Sequence, residues 1–92
     1  MKVRASHILV STEDEAKDLY EKLQNGADFT ELAMEHSQCP SKRDGGDLRF
    51  FGRGMMVKPF EDAAFNLEVG QISEPVQTQF GWHLIKLTDK KD

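Results

Sequence analysis

Two apolar segments of the sequence each carry a histidine at their centre. They read ASHILV at residues 5–10 and GWHLIKL at residues 81–87. In residues 3–10, apolar side chains occupy both alternating faces of an extended chain, which predicts a central strand that is covered on both sides. A histidine buried in such a strand needs a hydrogen-bond partner, since burial without one costs about 1–3 kcal/mol. Two such histidines indicate either a strained core or a functional site.

Three segments have the residue spacing of amphipathic helices. The first begins at Thr12, because Glu15 follows three residues later and completes a capping box. The second begins at Asp28, a residue that favours the N-cap position. The third covers residues 58–70, with Pro59 at the first helical position.

The remaining segments are predicted to be strands and one loop. Residues 37–47 are rich in turn-forming residues and form a loop with one short helical turn. Residues 48–54 and 72–76 are short and extended, and residues 77–87 contain the last strand. The resulting order β-α-α-loop-β-α-β-β places the first and last strands as neighbours in a mostly antiparallel sheet. Their two histidines would then lie side by side.

Length, charge and cysteine content limit the classes of protein that fit this sequence. The 92 residues predict one domain covering residues 1–92, and the formal net charge of −4 disfavours nucleic-acid binding. The single cysteine, Cys39, excludes an internal disulfide and fits a reducing compartment. It stands three residues after His36, but no second Cys/His pair accompanies it, so we expect no metal site.

From the sequence we expect neither a signal peptide nor a membrane-spanning segment. The N-terminal residues MKVRASHILV lack the apolar stretch and cleavage site of a signal peptide. No apolar run approaches the roughly 18–20 residues that span a bilayer. We therefore expect a cytoplasmic protein without a membrane span, and we expect it to be a monomer.

Five short motifs together carry a resemblance to a known family. They are SHILV (6–10), GGDL (45–48), KPFEDAAF (58–65), GQISEPV (70–76) and FGWHLIK (80–86). In this order and spacing, over about residues 5–87, the sequence resembles the parvulin-type peptidyl-prolyl cis/trans isomerases, in particular the small stand-alone members. The resemblance implies an α+β fold, a four-stranded mostly antiparallel sheet surrounded by about four helices in the order βαααβαββ. It also implies isomerase activity without a cofactor on proline-containing unfolded or flexible protein segments.

The resemblance also implies a set of site residues. The catalytic set comprises His7, Cys39, Thr78 and His83, and the proline pocket comprises Leu48, Met56, Phe60 and Phe80. Within the catalytic set, Thr78 supports the histidine pair. Among the other apolar residues, Met55 and Phe50 are expected to form an exposed apolar rim for a substrate or partner.

Two departures from the family pattern are informative. Arg49 follows GGDL where the family usually has glycine. This departure bears on the local backbone geometry and not on the proline pocket. The connection between the first strand and first helix, STEDE at 11–15, is short and acidic, whereas phosphate-directed parvulins have a longer basic loop there. Phosphate recognition uses clustered cations, so we expect no requirement for a phosphorylated residue before the proline.

Two roles for Cys39, and two functions for the protein, are compatible with these residues. Accelerating X–Pro rotation about a thousandfold requires only about 4 kcal/mol, so no covalent intermediate is needed. Cys39 could attack the carbonyl as a thiolate or could tune hydrogen bonding near it, and we favour the second role. The alternative to an isomerase is a non-catalytic peptide-binding or chaperone-like module that uses the same cleft.

Overall fold

The protein forms one four-stranded antiparallel sheet with helices on both faces. A computed structural model describes residues 1–91. Its strands are β1 (Lys2–Val10), β2 (Asp47–Phe51), β3 (Val76–Thr78) and β4 (Gly81–Lys91), in the spatial order β2-β1-β4-β3. The helices are α1 (Glu13–Gln24), α2 (Phe29–His36) and α3 (Lys58–Phe65), with a short 3₁₀ helix at Pro40–Asp44. The α+β prediction and the pairing of first and last strands are confirmed. Three α-helices and one 3₁₀ turn take the place of about four helices.

The first two helices begin where the capping residues predict. The Thr12 side chain accepts a hydrogen bond from the backbone N–H of Glu15 at 3.2 Å. The Asp28 carboxylate accepts one from the backbone N–H of Glu31 at 3.1 Å. Both bonds satisfy N–H groups that a helix start leaves without an intrahelical partner.

The third helix is shorter than the sequence predicts. The pattern favoured residues 58–70, but α3 ends at Phe65. Beyond it the backbone turns toward the sheet, where the N–H of Gly70 donates to the Leu87 carbonyl at 2.7 Å. A hydrogen bond to β4 therefore takes the place of further helical turns.

The last two strands form a hairpin, and the third lies further along the chain than predicted. Strands were expected at residues 72–76 and within residues 77–87, whereas β3 is Val76–Thr78 and a tight turn joins it to β4. Gly81 begins β4 with a φ of 138°, and a Cβ atom there would lie 2.6 Å from the Val10 carbonyl oxygen. Only glycine fits such an approach, and this places β4 close against β1.

The two central strands are covered on both faces, as predicted from residues 3–10. Ile8, Val10 and Leu84 belong to a buried cluster with the apolar residues of α1 and α2. Ala5 and Ile85 belong to a second cluster, with the apolar residues of α3. The two histidines project to this second face, because both rings contact Phe60 of α3. None of the helices within residues 1–91 is long and apolar enough to cross a membrane.

Arg49 lies at an irregularity in the pairing of β2 with β1. Arg4 pairs with Phe50 and Ser6 pairs with Asp47, so two residues of β2 oppose one residue of β1. Arg49 has a φ of 64°, the only positive φ of a non-glycine residue within residues 1–91. Its N–H donates to the Asp47 carboxylate at 2.9 Å. The departure from the family pattern thus falls on a bulge residue whose backbone favours glycine.

Candidate active site

The two strand histidines form a direct hydrogen bond. Their Nδ1 atoms lie 2.9 Å apart, and the rings are nearly parallel with centroids 5.1 Å apart. In the ladder His7 pairs with Ile85 and His83 pairs with Leu9, so the two imidazoles are diagonal neighbours on one face. Their exposed fractions are only 5% and 4%. The side-by-side placement expected from the sequence is confirmed.

Thr78 extends this bond into a chain. Its Oγ1 accepts from the backbone N–H of Phe80 at 3.1 Å and lies 2.7 Å from Nε2 of His83. The Thr78 hydroxyl uses both its acceptor and its donor when it donates to His83 Nε2 and His83 Nδ1–H donates to His7 Nδ1. In this arrangement His7 carries its proton on Nε2, which is buried without a partner among residues 1–91. An unpaired buried polar group is rare in a core that serves packing alone.

Both imidazoles are neutral near pH 7. Burial, reinforced by the neighbouring His83, lowers the pKa of His7 from 6.5 to about 4. Burial also lowers the pKa of His83 from 6.5 to about 4. Desolvation has this direction because it disfavours the charged form of a base. The pair therefore provides an uncharged polar floor and no cation.

An open apolar cavity of about 480 Å³ lies above the histidine pair. It has the size of a small-ligand site. Of the eight site residues expected from the sequence, seven line it: His7, Cys39, Leu48, Met56, Phe60, Phe80 and His83. The eighth, Thr78, lies behind His83 and touches the site through that ring. The structure brings the whole set together, while the role of each residue stays a prediction.

The cavity also has walls that the sequence did not identify as site residues. These are Leu9, Gln38, Pro40 and Val57. Met55, expected at an apolar rim, lines the cavity with 66% of its surface exposed. Phe50, expected at the same rim, is not among the lining residues; the ammonium of Lys91 lies 5.6 Å from its ring centroid.

Ser37 is a positioning residue that sequence reasoning missed. Its buried hydroxyl accepts hydrogen bonds from the backbone N–H groups of Leu9, at 3.1 Å, and Cys39, at 3.3 Å. It thereby joins the end of α2 to β1 and holds Cys39 at the cavity wall. The only local signal was a polar residue at the end of an apolar helical stripe.

Gly46 sets the backbone next to the first histidine. Its carbonyl accepts from the N–H of His7 at 3.0 Å, and a Cβ atom at this position would collide with the His7 carbonyl oxygen. With a φ of 88°, the residue also has a backbone that favours glycine. The second glycine of the GGDL motif is therefore required for the loop to approach β1.

Cys39 is half-buried and lines the same cavity as the histidine pair, but it is not hydrogen-bonded to either ring. Its thiol makes no hydrogen bond to any group in residues 1–91, whereas the imidazole nitrogens that have partners bond to each other and to Thr78. A cysteine nucleophile requires an adjacent base or cation. No three His, Cys, Asp or Glu side chains of these residues lie close enough to hold a metal ion.

An apolar cavity above a neutral histidine pair, on a sheet of this topology, is the arrangement expected of parvulin-type prolyl isomerases. The family model described as "Rotamase: PPIC-type PPIASE domain" matches residues 6–89. The chain therefore belongs to the PPIC-type peptidyl-prolyl isomerase family.

Relatives of known sequence and structure agree with this assignment. The chain is 60% identical over 92 residues to Foldase protein PrsA 4 of Bacillus cereus, covering 99% of this chain and 33% of that protein. It is 55% identical, with a TM-score of 0.97, to the crystal structure of the peptidylprolyl isomerase PrsA from Bacillus anthracis, covering 99% of this chain and 42% of that one. The parvulin NmPin of Nitrosopumilus maritimus is 50% identical with a TM-score of 0.86, and 96% of each chain is covered. The chain thus spans about a third of the foldase relatives and nearly all of the small parvulin.

Proposed function

We propose that this domain accelerates cis/trans rotation about X–Pro peptide bonds in unfolded or flexible protein segments, by a non-covalent mechanism. The observation that carries the proposal is the neutral, hydrogen-bonded pair of His7 and His83 beneath the apolar cavity. The similarity to a foldase of Bacillus cereus and to a peptidylprolyl isomerase of Bacillus anthracis supports the same reaction.

The walls of the cavity supply the first part of the catalysis. Rotation of the X–Pro bond removes amide resonance, so the twisted transition state is less polar than the planar amide. Leu48, Met56 and Phe60 surround the proline ring with apolar surface and exclude water. An apolar surrounding favours the less polar twisted form over the planar one. Only about 4 kcal/mol is required for a thousandfold acceleration.

The polar floor supplies the second part. Hydrogen bonds connect Thr78 to His83 and His83 to His7, and of the imidazole nitrogens only His7 Nε2 has no partner within residues 1–91. These bonds fix the orientation of each ring. Neutral rings place no fixed charge under the cavity, which suits a transition state with reduced polarity. Cys39, with its thiol free of other bonds, is the polar side chain that adjusts hydrogen bonding at the substrate carbonyl.

The substrate need not be phosphorylated. The first turn of α1, directly after the short connection from β1, contains Glu13, Asp14 and Glu15 and no cation. A phosphate near that turn would meet like charge, which opposes binding.

Phe80 allows a test that leaves the fold intact. Its side chain is 62% exposed at the cavity rim. Met34 is similarly exposed, at 54%, and lies on α2 outside the cavity. Exchange rates of X–Pro peptides measured by NMR should fall for Phe80→Ala and stay unchanged for Met34→Ala. Saturable peptide binding by the wild-type protein without faster exchange would instead establish the peptide-binding module.

Two narrower statements stay predictions. We propose that the domain acts as a monomer, which sedimentation equilibrium across a range of protein concentrations would test. A location in the cytoplasm likewise stays a prediction, and fractionation of cells expressing the natural protein would test it.

A further inference from the structure

A second concave surface adjoins the proline cavity at the Cys39 wall. It has a volume of about 470 Å³ and shares Gln38, Cys39 and Pro40 with the main cavity. Its remaining lining residues are Lys42 and Arg43, from the 3₁₀ helix. A peptide whose proline occupies the main cavity would extend a neighbouring residue into this second surface, because the two share a wall.

Lys42 and Arg43 have no anionic partner in the protein. Neither makes an ion pair or a side-chain hydrogen bond within residues 1–91, although the domain carries a net charge of −4. Asp44, the next residue, lines a different cleft together with Arg4. By contrast, Arg53 and Lys58, near the opposite wall, bond to Glu61 and Asp62 of α3.

The main cavity itself is uncharged. Its lining contains no Asp, Glu, Lys or Arg, and both of its histidines are neutral near pH 7. Among the described residues that line the two cavities, Lys42 and Arg43 are therefore the only charged ones. Complementary charge of this kind selects among substrates more than it adds to overall affinity.

We propose that Lys42 and Arg43 form a specificity subsite for a carboxylate side chain of the substrate, on a residue adjacent to the isomerised proline. The inference rests on the proposed function, since it names the substrate feature that the same cleft prefers. Both cations are exposed, so each contributes modestly, about twofold to fivefold in kcat/KM.

Matched peptides test the subsite. Peptides carrying Glu or Gln immediately before or immediately after the proline are compared by NMR exchange for the wild-type protein, Lys42→Gln/Arg43→Gln and Lys86→Gln. Lys86 is a matched control because it lies in β4, makes no ion pair within residues 1–91 and lines neither cavity. We expect the wild type and Lys86→Gln to prefer Glu over Gln at one of the positions. The double variant should lose that preference while keeping its rate on the Gln peptides, and salt should weaken the preference in the wild type.

The outcomes separate this inference from the proposed function. Equal acceleration of Glu and Gln peptides by the wild type would overturn the subsite and leave the isomerase intact. Acceleration of no peptide would overturn the isomerase. In that case the affinities for the Glu and Gln peptides, measured by chemical-shift titration of the same samples, would test the subsite independently of the isomerase activity. A Glu preference that persists in the double variant, in rate or in affinity, would show that the two cations are not its source.

Discussion

The carboxylate of Glu61 accepts a 2.6 Å hydrogen bond from the backbone N–H of Gly54. Its other oxygen accepts from Arg53 at 3.2 Å, and the side chain is buried. A charge in the first turn of α3 thus holds the loop at residues 52–57, which carries Met56 to the cavity. The helix dipole alone favours an acidic residue in this first turn. The bonds to Gly54 and Arg53 make Glu61 a positioning residue as well.

Glu61→Gln should loosen the wall that carries Met56. The amide can keep the bond to Gly54 but loses the charge that Arg53 requires, so we expect unfolding free energy to fall by about 1–3 kcal/mol. Because the wall binds substrate without forming bonds, KM should rise more than kcat falls. Urea unfolding and peptide-exchange kinetics provide the measurements.

Asp62→Asn is the matched control for that change. Asp62 lies one residue further along α3, reaches Arg53 only at 3.9 Å and has a side chain 49% exposed. A half-exposed ion pair contributes about 0–1 kcal/mol, so stability and KM should change little. A fall in kcat with KM unaffected in Glu61→Gln would contradict the positioning role.

Thr78→Val should disrupt the histidine chain with little change in side-chain shape. It removes the donor to His83 Nε2 and the acceptor for the N–H of Phe80, which leaves both without their present partner. We expect a loss of about 1–3 kcal/mol in unfolding free energy and a lower kcat. Thr78→Ser keeps the hydroxyl and should retain most of both. If valine and serine behaved alike, the hydroxyl would not orient the pair.

The stability of the domain should decrease as pH falls from about 6.5 to about 4. The folded-state pKa of both His7 and His83 is lowered to about 4, so the unfolded chain binds protons first over this interval. Below about pH 4 the two histidines are protonated in the folded state as well, so their contribution to the unfolding free energy stops changing. Asp47, whose pKa is lowered from 3.8 mainly by its hydrogen bond from Arg4, acts below this interval.

Chemical unfolding at a series of pH values measures this dependence. An unfolding free energy that stays flat between pH 6.5 and 4 would mean that the buried pair accepts protons as readily as an unfolded chain.

Cys39→Asp should retain much of the activity. An aspartate also places a polar group beside the substrate carbonyl, whereas it cannot act as a thiolate nucleophile. The thiol lacks a bonded base, so its replacement removes no activated group. Exchange rates for one X–Pro peptide compare the variant with wild type and with Cys39→Ala. Complete loss in Cys39→Asp, with an unchanged melting midpoint, would favour the nucleophilic role.

Arg49→Gly should be more stable than Arg49→Ala by about 1 kcal/mol. Both substitutions remove the exposed 3.6 Å ion pair with Asp47, which is worth little. Only glycine removes the steric cost of a φ of 64°, about 1–2 kcal/mol, and its greater freedom in the unfolded chain offsets part of this gain. Thermal or urea unfolding of the two variants makes the comparison. Equal stabilities would show that the bulge exerts no strain on residue 49.

Features that depend on neighbours along the chain were predictable from the sequence. The starts of α1 and α2 depend on Thr12 and Asp28, whose side chains bond to a backbone group three residues later. Burial of β1 on both faces follows from alternation within residues 3–10. The histidine pair was predicted from the strand pattern and the strand order. The other site residues were predicted through motif resemblance, since spacing alone offers no reason to combine Cys39 with residues far along the chain.

Only the tertiary structure decided where these elements stop and how the site is supported. α3 ends at Phe65, and beyond it Gly70 donates to the Leu87 carbonyl of β4. Glu61 holds a loop through a bond to Gly54 that no helical pattern encodes. His7 and His83 are 76 positions apart, and the register of β1 against β4 brings their Nδ1 atoms within hydrogen-bond distance. Local patterns determine which backbone conformation a segment prefers. Which residues far apart in sequence become hydrogen-bond partners is decided only once the sheet has formed, because each buried polar group must then find a partner nearby.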